Sequence, residues 1–533
     1  MAEQGQSPFH EWVPRRLGIA VAFVILVSVM LLNGSYVGNG ININSALGLL
    51  FEDISMAYYA TSIGMGIAYP LIGIVRTGIN SKSILLMGLS LQVVLCFMCA
   101  HLESLPAMVF VSFVIGVLKG FALIETFPVL MPFFSKKLLM MEFNSWLLPI
   151  NFSIGQVGIM MTAACAYYFE WRYIYYAATC MLLVAIFLVM ICFRRTNSPI
   201  RISFSDFDLV GAAYMTMLML AATYALTYGR TMDWFNSPKI TGAALAVPVL
   251  LALFAVTERG KKNPYLHWEI LKNRKTLLSH VYMFGSMMLA MSSYMVSYYA
   301  DSVLHLDGMY TNSLNIMLIP GFAAAGFACF WWSRFQPFRF RYLISISVLS
   351  YAGYAAIIYF QIRTDSTYES LLFPSVLRGF GMLTGFIAFS AYSVEELPPS
   401  LRLHNAFFFL AVRSALGMVA GTCLFANWLQ SRTFYYLSAL GREIDAVNPL
   451  AADYIAERAA KSAASGSPGF EAAQLALNDL YQRVYAQATV CAIKEIMGYV
   501  LIFTLVAAAI TALVHFNAVI KMKVPAIARW IGM

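Results

Sequence analysis

Four charged side chains lie within long apolar stretches of this sequence, where ionised groups are uncommon. They are three bases and one acid: Lys119, Arg378, Arg413 and Glu125. A charge at the centre of a lipid bilayer costs roughly 2.5–3.5 kcal/mol on insertion scales, so such side chains are expected to face a protein interior or a cavity. Buried bases attract anions strongly in a low dielectric, and a buried carboxyl with a raised pKa can exchange a proton.

Each of the four residues has a functional and a plainer interpretation. Lys119 and Arg378 are predicted to bind an anionic or weakly acidic amphiphile or to tune a carboxylate. Alternatively, each pairs with a backbone carbonyl or an acid and serves only helix packing. The plainer interpretation of Arg413 is a position near the cytoplasmic end of its helix. Glu125 is either the proton-coupling carboxylate or a simple interfacial glutamate.

A cluster of amides follows the first apolar stretch. Asn39 and Asn42 lie in a segment of four asparagines and three glycines between positions 33 and 44. Glycine permits irregular backbone, and amides both donate and accept hydrogen bonds. Because lipid leaves such groups unpaired, they should line a cavity or its mouth. We predict a substrate contact here; the alternative is hydrogen bonding between helices.

Composition identifies the elements that must position these residues. The chain has 533 residues, 60% of them hydrophobic and 11% charged, whereas soluble domains are nearer a quarter charged. Apolar stretches of about 20 residues, enough to cross a bilayer, recur along it. The sequence predicts an all-α membrane protein with fourteen transmembrane helices, near 17–37, 56–75, 83–101, 106–130, 147–168, 173–193, 209–228, 239–257, 277–299, 312–333, 341–361, 370–392, 405–426 and 494–516.

The distribution of basic residues predicts the orientation of these helices. The segments on one face, including both termini, carry 22 lysines and arginines, while the short loops on the other carry four. Positive loops stay inside, so we expect a bacterial inner-membrane protein with cytoplasmic termini. These loops and the anionic lipid headgroups account for the net charge of +9 without a nucleic acid partner. No cysteine–histidine spacing for a metal and no catalytic triad is present, so neither a metal, a cofactor nor an enzyme is expected.

One long segment, 427–493, lies outside the predicted spans on the outer face. Asp445–Ala460 and Phe470–Ala488 have helical composition, with a Ser/Gly/Pro-containing break, Ser462–Gly469, between them. These features predict an extracytoplasmic helical hairpin. The alternative is an ordinary polar loop.

The sequence contains an internal repeat that relates two of the buried bases. Val117–Phe121 and Val376–Phe380 share the pattern Val-Leu-Lys/Arg-Gly-Phe, and each lies in the fourth helix of a group of six. Parallel repeats of this kind are typical of transporters with two similar halves. Counting ~1.5 Å per residue, Lys119 and Arg378 lie roughly 10–20 Å from the outer helix ends. They are expected on opposite walls of one cavity.

The segments around the seventh and eighth helices carry a family likeness. It comprises Phe207–Gly211, Tyr228-Gly229, Glu258-Arg259, Asn263-Pro264 and Lys272–Arg274, and it extends to Asn44–Leu47, Trp171-Arg172 and Arg413 with Gly417 and Gly421. In this order the chain resembles the Emr-type multidrug exporters, the fourteen-helix drug:proton antiporters of the major facilitator superfamily.

The resemblance implies a major facilitator fold with helices arranged as 6+2+6. The expected divisions are a cytoplasmic N-terminus at 1–16, an N-terminal bundle at 17–201, two linker helices at 202–275, a C-terminal bundle at 276–516 that includes the outer segment, and a basic cytoplasmic tail at 517–533.

Several positions depart from the family pattern. Asn39 and Thr77 stand where the family carries Asp, Gly116 where it carries Arg, and Lys119 where it carries Gln. Lys119 lies three residues after Gly116 on the same helix face, so it could replace the missing arginine. With those acids absent, Glu125 is the candidate for proton coupling.

The function implied is secondary active export of drug-like or amphipathic molecules, with anionic ones included, by alternating access coupled to protons. The expected partners are the substrate, protons, the lipid bilayer, a periplasmic adaptor and an outer-membrane channel. The alternative is a membrane scaffold or sensor that kept the fold and lost transport.

Overall fold

A computed structural model describes residues 8–32, 48–134, 140–195, 208–261, 263–335, 340–444, 448–466, 468–514 and 516. Within these ranges the fold is helical, and the one β interaction is a single bridge between Phe9 and Phe193. The helices are α1 Arg15–Leu31, α2 Phe51–Gly78, α3 Ser81–Cys99, α4 Leu105–Phe134, α5 Met140–Tyr168, α6 Tyr173–Cys192, α7 Leu209–Tyr228, α8 Pro238–Glu258, α9 Arg274–Ala290, α10 Ser293–Ser302, α11 Gly308–Ser313, α12 Leu318–Phe335, α13 Phe340–Gln361, α14 Leu372–Ser393, α15 Arg402–Leu410, α16 Val419–Gly441, α17 Pro449–Ala464 and α18 Gly469–Leu513.

Twelve helices within the described ranges are long and apolar enough to cross a membrane. The other two predicted spans are shorter: α1 has 17 residues, and the predicted ninth span is divided into α9 and α10. The all-α membrane class is therefore confirmed, while the count of fourteen stays a prediction.

Local capping moves two helix starts ahead of their predicted positions. The backbone N–H of Leu50 donates to Asp53 Oδ2 at 2.8 Å, and this contact starts α2 five residues before the predicted position. Glu142 lies in the first turn of α5, where a negative charge complements the helix dipole. Helix α5 starts at Met140, seven residues before its predicted position.

The segment predicted to lie outside the membrane is largely helical. Helix α16 continues to Gly441, well past the predicted end at 426, and α17 packs against α18. Arg458 Nε lies 2.9 Å from Asp479 Oδ2 and joins these two helices. The second helix of the hairpin and the last predicted span form one helix of 45 residues, α18. Its extracytoplasmic position stays a prediction.

The same helix contact occurs in both halves of the chain. In the first half α2 and α4 touch so closely that a Cβ on Gly116 would lie 2.0 Å from the carbonyl oxygen of Thr61. In the second half α12 and α14 touch in the same way, with a Cβ on Gly321 falling 2.2 Å from the carbonyl oxygen of Val376. Each contact joins the second and fourth predicted helices of its half, as the repeat in the sequence suggests.

Two seams join the halves, and one runs between α5 and α12. A Cβ on Gly326 would lie 2.5 Å from the carbonyl oxygen of Ser145, so the backbones are in contact. Near this point Arg334 Nε lies 3.4 Å from Glu142 Oε1. Along the second seam, α2 packs against α15 and the turn of π-helix Ala411–Met418 that follows it.

The linker between the halves, which contains α7 and α8, contacts the second seam at both of its ends. At the predicted outer end Tyr228 at the end of α7 donates a hydrogen bond to Asp53 of α2. At the other end the hydroxyl of Tyr265 donates to the carbonyl oxygen of Ile67 on α2 at 3.0 Å. The carbonyl oxygen of Tyr265 lies 3.0 Å from His404 Nδ1 on α15. The linker therefore contacts both halves.

Candidate functional site

Lys119 lies near the middle of α4 and is almost fully enclosed. Its side chain is 1% exposed, and its Nζ atom has no hydrogen-bond partner in the described part of the chain. The next residue, Gly120, lies against Ala68 and Met65 of α2, so the backbone of α4 is fixed at this level. An ammonium group that is buried without a hydrogen-bond partner is energetically costly. Ionisable residues kept at such positions in membrane proteins are typically functional, for example in binding a ligand.

Arg413 provides the second cation of the site, and it comes from the other half. It lies in the π-helix Ala411–Met418, a wide helical form that is frequently found at functional sites. Its guanidinium carbon is 5.3 Å from the ring centres of both Phe152 on α5 and Phe386 on α14. Arg413 also lies within electrostatic range of Lys119.

The wall of the site beside Arg413 is aromatic. Tyr58 and Tyr69 of α2 lie within electrostatic range of its guanidinium group. Its Nε atom donates to Ser414 Oγ at 2.9 Å. Rings from α5 and α14 thus lie against the guanidinium group. An amphipathic anion would find both a charge partner and apolar surface here.

Arg378 lies on α14, in the second half of the chain. It is 8% exposed and lies within electrostatic range of Tyr351 and Tyr354 of α13, in its own half. No described contact joins it to Lys119. A shared cavity for Lys119 and Arg378 stays a prediction, and the cation that the structure brings to Lys119 is Arg413.

Glu125 is part of an ion pair. Its Oε1 atom lies 2.8 Å from Arg76 Nε at the end of α2, and the acid is 1% exposed. This arrangement joins α4 to α2 and favours the plainer interpretation of Glu125 as an interfacial structural residue. Asn39 and Asn42 lie outside the described residues, so their predicted role is not tested.

Other acids at the ends of the spanning helices also have partners. Those within hydrogen-bond or ion-pair distance are Glu52 with Arg230, Asp53 with Tyr228, Glu142 with Arg334, Glu258 with Lys261, Glu395 with Lys275 and Glu495 with Arg432. The undescribed stretch 33–47 contains no Asp or Glu in its sequence. Across the ranges that the structure describes, no carboxylate is seen to pair with Lys119 or Arg413, and no group of side chains could hold a metal ion.

Sequence reasoning missed the aromatic residues of the site. The chain has 30 tyrosines and 39 phenylalanines, so composition could not single out Phe152, Phe386, Tyr58 or Tyr69. The electrostatic interaction of Lys119 with Arg413 was also not predicted, because it depends on how the two halves pack across the seam.

The two contacting halves, each with a close contact between its second and fourth helices, define a polytopic helical membrane protein of the transporter type. The chain belongs to the Major Facilitator Superfamily, whose family model matches residues 18–422. The prediction of a membrane transporter family, not an enzyme, is thereby confirmed.

The chain is similar to two named bacterial proteins. It is 22% identical to the colistin resistance protein EmrB of Acinetobacter baumannii over 318 residues, which are 60% of each chain. It is 20% identical to the multidrug export protein EmrB of Haemophilus influenzae over 423 residues, 76% of this chain and 79% of that protein. The resemblance to Emr-type exporters is confirmed.

A solved structure shares the fold. The crystal structure of tetrameric PepTSo2 matches with a TM-score of 0.52 at 12% identity, covering 93% of this chain and 96% of that chain.

Proposed function

We propose that this protein is a secondary active transporter that exports drug-like or amphipathic molecules, including anionic ones, by alternating access. The observation that carries the proposal is the position of Arg413, between rings from both halves and within electrostatic range of Lys119, which is buried and has no hydrogen-bond partner among the described residues. A site shared by two halves becomes accessible from alternate sides when the halves rock about it. The names of the two bacterial relatives support export as its direction.

Rocking requires contacts that can separate on one side of the site. The ion pair of Glu142 with Arg334 and the hydrogen bond from Asn144 Nδ2 to Ser390 Oγ, at 2.8 Å, join α5 to the second half near the predicted cytoplasmic end. These are polar contacts whose groups can instead bind water when the seam opens. The described conformation is therefore closed at this position, and breaking these contacts would admit a substrate from the cytoplasm.

Proton coupling belongs to the same proposal and has one buried carboxyl candidate. Glu125 would have to leave Arg76 during the cycle before it could take up a proton. Separation of the end of α2 from α4 would provide that step. The replacement Glu125→Gln tests it, because export that depends on a pH gradient should then be lost.

The proposed setting is the bacterial inner membrane, with both termini in the cytoplasm. A periplasmic adaptor leading to an outer-membrane channel is the proposed partner of the α17–α18 hairpin. The support for this partner is the resemblance to the Emr-type exporters together with the helical form of the segment.

An efflux assay distinguishes transport from the alternative of an inactive scaffold or sensor. The wild type and the variants Lys119→Ala, Arg378→Ala and Arg413→Ala would be expressed in a bacterial strain that lacks its main exporters. The exposed Lys239 gives the matched control, Lys239→Ala. We expect the Lys119 and Arg413 variants to lose extrusion of a fluorescent amphipathic anion. Equal extrusion by all variants would refute the site, and none by the folded wild type would favour the scaffold.

A further inference from the structure

The turn that joins α7 to α8, residues 229–234, touches both halves at the predicted outer end, and we call it the outer clasp. Towards the first half, Thr231 Oγ1 donates to Glu52 Oε1 at 2.7 Å, and Arg230 Nη2 lies 3.4 Å from the same oxygen. Towards the second half, Arg230 Nη1 donates to the hydroxyl group of Tyr294 on α10 at 3.3 Å. One arginine of the linker therefore connects the two halves.

Trp234 makes a second contact between the outer clasp and the second half. Its Nε1 atom donates to Asn427 Oδ1 on α16 at 3.3 Å. Asp233 and Trp234 have φ angles of 57° and 50°, in the left-handed region that bulky residues rarely adopt. Gly229 permits the turn, because a Cβ there would lie 2.6 Å from the Trp234 ring. Backbone strain of this kind persists only where surrounding contacts hold it, and it clusters at functional and switch regions.

A cavity of about 50 Å³ lies beside the outer clasp. Its walls include Glu52, Arg230, Tyr294, Val419 and Cys423. Val419 follows Arg413 by six residues in the direction of the predicted outer end, so the cavity lies between the aromatic site and the outer face. Ligand pockets usually measure about 300–1,000 Å³. An amphipathic molecule therefore does not fit through this position while the outer clasp is in place.

We propose that the outer clasp is the outer gate of the export path, and that it opens by leaving the second half while it stays bound to α2. This inference rests on the proposed function. The contacts with the first half end on the carboxylates of Glu52 and, through Tyr228, of Asp53. Both contacts with the second half end on neutral oxygens at 3.3 Å. Hydrogen bonds to a carboxylate are shorter and stronger than those between neutral groups, so the linker moves with the first half.

Cys423 reports the opening of the gate, because it is a native cysteine in the wall of the cavity. Right-side-out membrane vesicles that contain the full-length protein are treated from outside with 2-sulfonatoethyl methanethiosulfonate, a charged thiol reagent that does not cross the membrane. The rate of labelling at Cys423 is measured by mass spectrometry of its peptide.

The test variant is Tyr294→Phe combined with Trp234→Phe. It removes the two contacts with the second half, leaves those with α2 and does not change the charge beside the cavity. Each lost hydrogen bond shifts the equilibrium by roughly 2- to 10-fold. We expect labelling of Cys423 to be about tenfold faster in the double variant and about threefold faster in each single variant.

Tyr224→Phe is the matched control. The hydroxyl group of Tyr224 donates to Met232 Sδ at 3.8 Å, within the linker. Its removal therefore perturbs the linker without releasing the second half, and labelling of Cys423 should keep the wild-type rate. An equal rise in this control would overturn the assignment of the gate to the contacts of Tyr294 and Trp234.

Extrusion of a fluorescent amphipathic anion by the same variants separates the inference from the proposed function. Easier opening to the outside lowers the population of the inward-open state, so the concentration for half-maximal extrusion should rise in the double variant. Unchanged labelling, or an unchanged half-maximal concentration, would overturn the gate while extrusion by the wild type leaves the proposed export standing. Absence of extrusion by the folded wild type would overturn the proposed function and the role of the outer clasp in it, whatever the labelling shows.

Discussion

Replacing Lys119 by methionine should stabilise the protein while removing its function. The side chain is 1% exposed and its Nζ atom has no hydrogen-bond partner in the part of the chain that the structure describes. Methionine is nearly as long as lysine and flexible enough to fill the same space. Lys119→Met therefore keeps most of the apolar contacts of the stem and removes only the charge.

The expected size of the effect follows from the cost of a charge deep in a membrane protein. Insertion scales give roughly 2.5–3.5 kcal/mol for a lysine at the bilayer centre. Removal of the charge also ends its repulsion with Arg413. Small changes in packing offset part of this gain, since volume-conserving substitutions usually cost less than about 1.5 kcal/mol. We expect the free energy of unfolding to rise by about 1–3 kcal/mol.

The measurement is the unfolding transition in mixed detergent micelles, followed by near-UV circular dichroism for the wild type and Lys119→Met. Lys239→Met is the matched control, and because Lys239 is exposed its effect should stay within about 0.5 kcal/mol. Binding of 2-naphthalenesulfonate, a fluorescent aromatic anion, should be measured on the same samples. We expect it to be lost for Lys119→Met and retained for Lys239→Met.

A fall in stability of Lys119→Met would refute the reasoning, because it would show that the ammonium has a stabilising partner in the folded protein. Gain of stability with unchanged anion binding would refute the ligand role but not the cost of the buried charge.

Three further substitutions follow from the described contacts. Arg76→Gln should lower the free energy of unfolding more than Glu125→Gln does. It leaves the Glu125 carboxylate, which is 1% exposed, without its partner, whereas Arg76 is 22% exposed and can reach water. Equal losses in the unfolding assay would contradict this. Gly326→Leu should prevent closure of the α5–α12 seam, because the leucine side chain would meet the carbonyl oxygen of Ser145. Increased chemical labelling of a cysteine placed at position 145 would show this opening, and unchanged labelling would contradict the prediction. Arg413→Lys keeps the charge but removes the planar guanidinium group that lies between two rings. The affinity for an amphipathic anion should therefore weaken by about tenfold. Unchanged affinity would exclude a role for the ring contacts.

Several features followed from the sequence because they depend on local properties of the chain. A spanning helix needs about 20 apolar residues wherever it occurs, so most helices were predicted within a few residues. The repeat around Lys119 and Arg378 predicted two similar halves, and the glycines beside both bases do lie at close helix contacts. The largest differences occur where capping or continuation decides the boundary, as in α5 and the 45-residue α18.

The site itself was decided by tertiary structure. Sequence spacing gives the depth of a residue along its own helix, and it placed Lys119, Glu125 and Arg413 within spanning segments. It does not give the direction in which a side chain points relative to a helix from the other half. Packing across the seam placed Arg413 within electrostatic range of Lys119. Packing within the first half paired Glu125 with Arg76. The chain alone therefore determined a membrane protein with buried bases, whereas the contact of the two halves decided that Arg413 lies between Phe152 of one half and Phe386 of the other.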